Sequence, residues 1–319
     1  VLSELIGKIT MSHRSPSRLF VAGLLAGASL MAACSMGYKP PPPAPLQANP
    51  AATPATINWR STLSGTVPAS LQISTQGNQI LVADAQGHIQ AFGTNGSALW
   101  SYRLEQPLAA GIGSDGNTAA AVTEKQELIA IRQGQPAWRV QLPGPVYTAP
   151  LVAGGRIFVL GADQNISAYD AANGFLLWRQ KGQAPTGKLA LRQPSVLMPA
   201  KGALLAGMAG QMNVFNPDNG DVLTSIVMAS PRGSTELAYV VDVLAPASRV
   251  GDSLCARTYQ ANVGCINLGN GAQEWAQPNT GTNGITGDSQ MVVGADNQGV
   301  VTAWSRQNGE VLWKNETLK

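Results

Sequence analysis

Residues able to perform acid–base or covalent chemistry are scarce in this chain of 319 residues. Its two histidines are His13 and His88, so a Ser-His-Asp or Cys-His arrangement outside the N-terminal segment would have to be built around His88. That histidine follows the turn sequence Asp84-Ala-Gln-Gly87, where a solvated turn residue is the simpler interpretation. The sequence shows no catalytic constellation, and we expect no enzyme.

Metal-binding and phosphate-binding patterns are also missing from the sequence. Aspartates stand singly in three turn sequences, at Asp84, Asp163 and Asp296, whereas calcium needs several closely spaced oxygen ligands. The pair Gly154 and Gly155 leads into a strand, and not into a helix whose N-terminus could hold a phosphate. We therefore expect no cofactor and no metal ion.

The first cysteine, Cys34, ends a segment typical of bacterial lipoprotein precursors. A basic stretch from Met11 precedes an apolar run, and Leu30-Met-Ala-Ala-Cys34 looks like a lipobox, in which the cysteine is acylated after cleavage. We predict a leader over residues 1–33, with its start at Met11, and lipidation of Cys34. An ordinary signal peptide with an incidental cysteine is the alternative. The apolar run is shorter than the about 20 residues that a membrane-spanning helix needs.

We predict that residues 34–58 form an extended tether between the lipidated cysteine and the folded part of the chain. The stretch 39–56 contains seven prolines and one charged residue, so it cannot build a core. Ser35 follows Cys34, and by resemblance to enterobacterial lipoproteins a serine there favours transfer to the outer membrane. We expect a protein anchored by lipid to the outer membrane of a Gram-negative bacterium and facing the periplasm.

The charge balance argues against nucleic acid as a partner. The formal net charge is +3, and the chain without residues 1–33 keeps 18 basic and 17 acidic residues. No cluster of Lys or Arg provides the positive surface that a phosphate backbone requires.

The other two cysteines, Cys255 and Cys265, flank a turn that we place near Gln260. They would face each other on adjacent strands, and an oxidising periplasm would allow a disulfide. Two buried free thiols are the alternative. We do not expect these cysteines to bind a metal ion, because no histidine lies near them in the sequence.

A repeat dominates the chain after residue 90 and provides the framework for these residues. A glycine is followed four residues later by a large side chain in six units, in which Thr224 replaces the tryptophan once. The pairs are Gly96 and Trp100, Gly134 and Trp138, Gly174 and Trp178, Gly220 and Thr224, Gly271 and Trp275, and Gly309 and Trp313. Trp59 opens the series without a glycine. A period near 40 residues indicates stacked structural units.

Within each unit, short apolar stretches alternate as strands do, for example at residues 79–83 and 156–160. Four short antiparallel strands per unit predict an all-β fold, a β-propeller of four-stranded blades over residues 59–319. We expect each tryptophan to cover the gap to the next blade while its indole N–H reaches a carbonyl, and each glycine to permit a tight turn.

The segment from Ala168 to Trp178 resembles the blade motif of pyrroloquinoline-quinone-type propellers, and weaker copies recur at 91–100, 265–275 and 303–313. That superfamily includes quinone-dependent alcohol dehydrogenases. The vicinal cysteines and calcium ligands that characterise those enzymes do not occur in this sequence. A quinoprotein enzyme therefore remains only as an alternative.

A closer resemblance combines the lipobox, the tether, the blade motif, Leu189-Ala-Leu-Arg192, the run from Ser230 to Glu236, and Val241-Asp-Val243. Together they resemble the BamB family, the lipoproteins of the β-barrel assembly machinery. In that family a Leu-x-Leu-Arg loop and a later Asp-Val-Asp segment contact the central barrel subunit.

The resemblance implies partner contacts for Leu189, Leu191, Arg192 and Asp242. Leu244 stands where the family's second aspartate would be, so only half of the acidic segment is preserved. For Arg232 and Glu236, a mutual ion pair and a partner contact are both open.

The resemblance also implies a non-enzymatic scaffold that docks on the central barrel subunit and assists the insertion of outer-membrane β-barrel proteins. Unfolded client proteins are a further expected partner, through strand addition at exposed blade edges. A periplasmic propeller that binds an unrelated protein is the other alternative. Because the family's ring has eight blades and this chain provides about six, we expect the propeller to be incomplete at the C-terminus. Closure as a six-bladed ring is the alternative.

Overall fold

The computed structural model describes residues 56–67, 73–182, 191–230 and 240–317. The leader, Cys34, most of the tether and Leu189 lie outside these ranges, as do Arg232 and Glu236. The described residues form 24 strands and no helix, arranged as six four-stranded antiparallel sheets. The predicted all-β fold with four strands per repeat is therefore confirmed.

The strands of the first three sheets span residues 74–181. They are β1 (Ser74–Gln76), β2 (Gln79–Ala83), β3 (His88–Gly93), β4 (Ala98–Arg103), β5 (Gly113–Ser114), β6 (Ala119–Val122), β7 (Glu127–Arg132), β8 (Gln135–Gln141), β9 (Leu151–Ala153), β10 (Arg156–Leu160), β11 (Asn165–Asp170) and β12 (Leu176–Lys181).

The strands of the last three sheets span residues 197–315. They are β13 (Leu197–Ala200), β14 (Ala203–Met208), β15 (Gln211–Phe215), β16 (Val222–Val227), β17 (Val243–Val250), β18 (Ser253–Thr258), β19 (Asn262–Asn267), β20 (Gln273–Pro278), β21 (Thr286–Gly287), β22 (Met291–Ala295), β23 (Val301–Ser305) and β24 (Val311–Asn315).

The sheets are arranged radially, with their first strands innermost. β1 contacts β5, β5 contacts β9, β9 contacts β13, and β17 contacts β21. Residues of β1, β5, β9, β13 and β17 line a cavity of about 320 Å³. Five clusters of buried apolar residues each join two successive sheets, so the core lies between the sheets and not inside any one of them. This is the architecture of a β-propeller, in which no blade buries its faces alone.

The tryptophans join each sheet to the next, as predicted. Three of the repeat tryptophans donate their indole N–H to a backbone carbonyl of the following sheet: Trp138 to Ala171 at 2.9 Å, Trp178 to Pro217 at 3.0 Å, and Trp275 to Arg306 at 2.7 Å. Each of these carbonyls lies three residues before the repeat glycine of that following sheet. The contact that matters is therefore between neighbouring repeats, because the tryptophan of one repeat meets the glycine of the next.

The repeat glycines have a second role that their turn conformation alone did not reveal. All six adopt positive φ angles, from 71° to 85°, as expected for tight turns. In addition, a Cβ atom on Gly174 would lie 2.7 Å from Cε3 of Trp138, and one on Gly220 would lie 2.6 Å from Cε3 of Trp178. The glycine is the surface on which the indole of the preceding sheet rests.

The series has one exception and one extension. Thr224, at the tryptophan position of the fourth sheet, is exposed, and Ile226 approaches Gly271 instead, with its Cγ1 3.9 Å from a Cβ placed there. At the other end, Trp59 precedes the first sheet, packs on Gly96 and donates its indole N–H to the carbonyl of Thr94 at 3.0 Å. Residues 56–67 thus supply the first sheet with the tryptophan that a preceding sheet would provide.

Candidate functional site

The site residues expected from the sequence come together where connections between blades meet. The backbone N–H of Leu191, in the connection before β13, donates to Oδ2 of Asp242 at 2.8 Å across 51 residues of sequence. Arg192 is the next residue and is exposed. The structure therefore brings Leu191, Arg192 and Asp242 to one place on the protein, while Leu189 lies outside the described residues.

Both carboxylate oxygens of Asp242 are engaged within the protein. Oδ1 accepts the backbone N–H of Ala209 at 3.2 Å, in the turn between β14 and β15, while Oδ2 accepts that of Leu191. Burial raises the pKa of Asp242 above its ordinary value, although the two amide hydrogen bonds act to lower it. The family resemblance implies a partner contact for Asp242, and in the structure its carboxylate accepts backbone N–H groups of this chain.

Arg192 is supported by an aromatic ring that the sequence did not single out. Its guanidinium carbon lies 5.7 Å from the ring centre of Tyr147, within the range of a cation–π contact. Tyr147 stands in the connection between β8 and β9, the same type of connection that carries Leu191 one blade later. That equivalence in the repeat is the signal that could have identified it.

Ser195 fixes the other end of the loop that carries Arg192. Its N–H donates to Oγ1 of Thr148 at 3.0 Å, and its hydroxyl lies 2.7 Å from the carbonyl oxygen of Gly207 and 2.5 Å from that of Val243. Segments from three consecutive blades therefore hold the loop 191–195, which we call the docking loop. No sequence signal marked Ser195.

The space beneath the docking loop is small. A cavity of about 40 Å³ lies between Tyr147, Leu191, Asp242 and their neighbours. The arrangement is suited to presenting a surface.

Leu244 contributes to the core beneath this surface. It is 2% exposed, and it pairs with Arg257 on β18 and bridges to Ser195. The position of the family's second aspartate is therefore occupied by a core residue in this chain.

The surroundings of His88 differ from those of a catalytic triad. Oγ of Ser64 and Oδ2 of Asp84 each lie 3.1 Å from the same ring nitrogen, Nδ1. A triad needs the serine on one nitrogen and the carboxylate on the other, so that the ring can accept a proton from the first while held by the second. Asp84 also accepts the backbone N–H of His88 at 2.9 Å, a hydrogen bond that caps the turn before β3.

Cys255 and Cys265 are directly opposite each other in the β18–β19 ladder, on either side of a turn in which Gln260 has a φ of 48°. The structure joins their sulfurs in a disulfide, with the Cα atoms 3.9 Å apart. Both residues are fully buried between the fifth and sixth sheets.

Two further features bear on function. Within residues 56–67, 73–182, 191–230 and 240–317, no three His, Cys, Asp or Glu side chains are grouped closely enough to hold a metal ion. In the same part of the chain, no helix has the length and apolar character to pass through a bilayer.

A family model of PQQ-type repeats, described as outer membrane protein assembly factor BamB, matches residues 85–315. The chain belongs to the BamB family. The BamB of Burkholderia pseudomallei is 29% identical over 246 residues, which cover 76% of this chain and 64% of that protein. The BamB of Bordetella pertussis is 29% identical over 305 residues, which cover 94% of this chain and 78% of that protein.

The crystal structure of BamB from Moraxella catarrhalis shares the fold. It superposes with a TM-score of 0.70 at 23% identity, covering 81% of this chain and 80% of that chain. The chain spans less than two thirds of the Burkholderia BamB.

Proposed function

We propose that this protein is a non-enzymatic scaffold subunit of the outer-membrane β-barrel assembly machinery, and that it docks on the central barrel subunit through the docking loop. The names of its BamB relatives, which are outer membrane protein assembly factors, support the first part. The observation that carries the second is the convergence of Leu191, Arg192 and Asp242, which are far apart in sequence, at one set of blade connections.

The chemistry of the docking loop suits a protein partner with a carboxylate. Arg192 is exposed, and its side chain is stacked on Tyr147 and not used in an ion pair among the described residues. A guanidinium presented in this way can bind a carboxylate through two parallel hydrogen bonds, and arginine is enriched among residues that dominate interface energies. Leu191 supplies apolar surface beside it, and Leu189 is the second expected apolar contact.

Anchoring completes the proposal. Lipidated Cys34 and the proline-rich tether would hold the propeller in the periplasm at the outer membrane, where the barrel subunit resides. Mass spectrometry of the mature protein should find an acylated N-terminal cysteine. An unmodified Cys34 would contradict this part of the proposal.

The decisive experiment replaces Arg192 with glutamate in the full-length lipoprotein. If Arg192 meets a partner carboxylate, reversing its charge should cost about 2 kcal/mol or more, which weakens binding to the central barrel subunit about 30-fold. Copurification and titration against the purified periplasmic domains of that subunit measure the effect.

Arg103→Glu is the matched control, because Arg103 is an exposed arginine on the outer strand of the first sheet, outside the docking loop. This variant should bind as the wild type does. Undiminished binding by Arg192→Glu would refute docking through this loop.

Exposed apolar side chains on the third and fourth blades favour a second interaction, with extended client proteins. Phe175 is 72% exposed, Leu176 is 54% exposed and Leu223 is 58% exposed, and β12 and β16 are edge strands. An edge strand can add a client strand through main-chain hydrogen bonds that do not depend on client sequence. Crosslinking that finds clients only at loop positions would contradict this.

A quinoprotein activity is the enzymatic alternative, since the propeller family of PQQ-type repeats includes enzymes. The part of the chain that the structure describes groups no three His, Cys, Asp or Glu side chains closely enough to hold the calcium ion of such an enzyme, which favours the scaffold. A new absorbance band on adding pyrroloquinoline quinone and calcium to the purified protein would support the enzyme instead.

A further inference from the structure

The side chains of Asp242 and Arg192 point in different directions. Arg192 is exposed and available to a partner, whereas both oxygens of Asp242 accept backbone N–H groups of this chain. Each oxygen of the Asp242 carboxylate therefore has one of its two acceptor positions occupied within the protein.

The two N–H groups belong to different segments of the fold. Leu191 lies in the connection between β12 and β13, and Ala209 lies in the β14–β15 turn, where its φ of 45° is unusual for a residue other than glycine. Asp242 itself immediately precedes β17. One carboxylate therefore fixes the start of the docking loop against the turn of the fourth blade and the beginning of the fifth.

Asp242 is only partly exposed, and it lines the small cavity of about 40 Å³ beneath the docking loop. Among the described residues, Asp242 takes part in no ion pair, so amide N–H groups are what offset its buried charge.

We propose that Asp242 is a positioning residue for partner binding: it holds the docking loop in its binding conformation through Leu191 and does not itself contact the partner. The proposal rests on the proposed docking function. Because Arg192 directly follows Leu191, fixing the Leu191 amide fixes the direction in which the guanidinium leaves the loop, and the ring of Tyr147 supports it from the other side. Because the docking loop is already ordered in the free protein, its binding to a partner does not carry the entropy cost of ordering a loop.

A double-mutant cycle separates positioning from contact. Asp242→Asn keeps the shape of the side chain but places an amide NH₂ against one of the two backbone N–H donors. Acting through the docking loop, it should weaken binding of the full-length protein to the periplasmic domains of the central barrel subunit about tenfold. In an Arg192→Ala background the same substitution should weaken binding only about twofold, because the side chain that the loop positions is gone.

Asp252→Asn is the matched control, since Asp252 is a partly exposed carboxylate in the β17–β18 turn, paired with Lys201. It should leave binding unchanged in both backgrounds. An equal loss from Asp242→Asn with and without Arg192 would show an independent partner contact and overturn the positioning role, and so would no loss in either. If Arg192→Glu also binds normally, the docking function itself fails, which is a different outcome.

Amide hydrogen exchange on the wild-type protein provides a second test that needs no variant. If Asp242 positions the loop, the Leu191 amide should already be protected in the free protein, about tenfold or more against an unstructured peptide, and should gain little on partner binding. Protection that appears only in the complex would overturn the proposal.

Discussion

Gly220→Ala tests the idea that the repeat glycines serve as seats for the tryptophans of preceding sheets. An alanine at this position meets two separate obstacles. Its φ of 81° lies in the left-handed region that residues with a Cβ rarely adopt, and its Cβ would lie 2.6 Å from Cε3 of Trp178. Trp178 is 9% exposed and hydrogen-bonded to Pro217, so it has little freedom to move away.

The two penalties can be separated by a matched variant. The left-handed conformation costs an alanine about 1–2 kcal/mol, and forcing a methyl group into a packed contact costs about 1–3 kcal/mol. Gly271→Ala has a similar φ of 71°, but its nearest neighbour, Cγ1 of Ile226, is 3.9 Å away, an ordinary contact distance. We expect Gly271→Ala to lose about 1–2 kcal/mol and Gly220→Ala about 2–5 kcal/mol of unfolding free energy.

Urea unfolding followed by circular dichroism and tryptophan fluorescence measures both losses, with an unchanged denaturant slope required for the comparison. Trp178→Ala provides the reciprocal check: adding Gly220→Ala to it should cost only the conformational part, because the colliding ring is absent. Equal destabilisation by Gly220→Ala and Gly271→Ala would refute the packing role of the glycine and leave only its turn role.

Two other predictions concern the disulfide and Asp242. Replacing Cys255 and Cys265 together by alanine should lower the free energy of unfolding by about 2–3 kcal/mol, because the bond closes a loop with a sequence separation of 10. Non-reducing peptide mapping should find the two peptides joined, and free thiols at both positions would contradict the bond. Burial raises the pKa of Asp242, so the folded protein binds this proton more readily than the unfolded chain, whose pKa is near the ordinary 3.8. The free energy of unfolding, relative to Asp242→Asn, should therefore fall as pH rises from about 4 through the folded pKa; unfolding titrations up to about pH 7 check the sign, and a rise would contradict it.

The fold could be predicted because its determinants are local. Alternation of apolar residues marks strands such as β2 and β10, and the recurring glycine and tryptophan mark the repeat, since each requirement acts within a few residues. The partner of each tryptophan was not predictable at the same level, because it lies about 40 residues away in the next repeat. Ile226, and not the residue at the tryptophan position, Thr224, approaches Gly271. This contact depends on side-chain packing that the spacing of the sequence repeat does not reveal.

The candidate site was predictable only through family resemblance. Nothing in the types of Leu191 and Asp242 indicates that they touch across 51 residues, and no sequence signal marks Ser195. Arg257 in the core was not predictable either, because nothing in the sequence distinguishes it from other strand residues. It is fully buried and donates to the carbonyls of Asn283 and Ala295, and burial lowers its pKa to about 10. Contacts of this kind are set by the assembled sheets.

The contacts between successive sheets in this propeller have a direction. An indole of one repeat packs on a glycine of the following one, except at Gly271, where Ile226 takes the place of the indole, and Trp59 packs on Gly96 of the first sheet. No single repeat supplies both the tryptophan and the glycine of such a contact. An isolated repeat would leave its tryptophan without a glycine to pack on and its glycine turn uncovered. A substitution at one of these glycines therefore disturbs the sheet before it as well as the sheet that contains it.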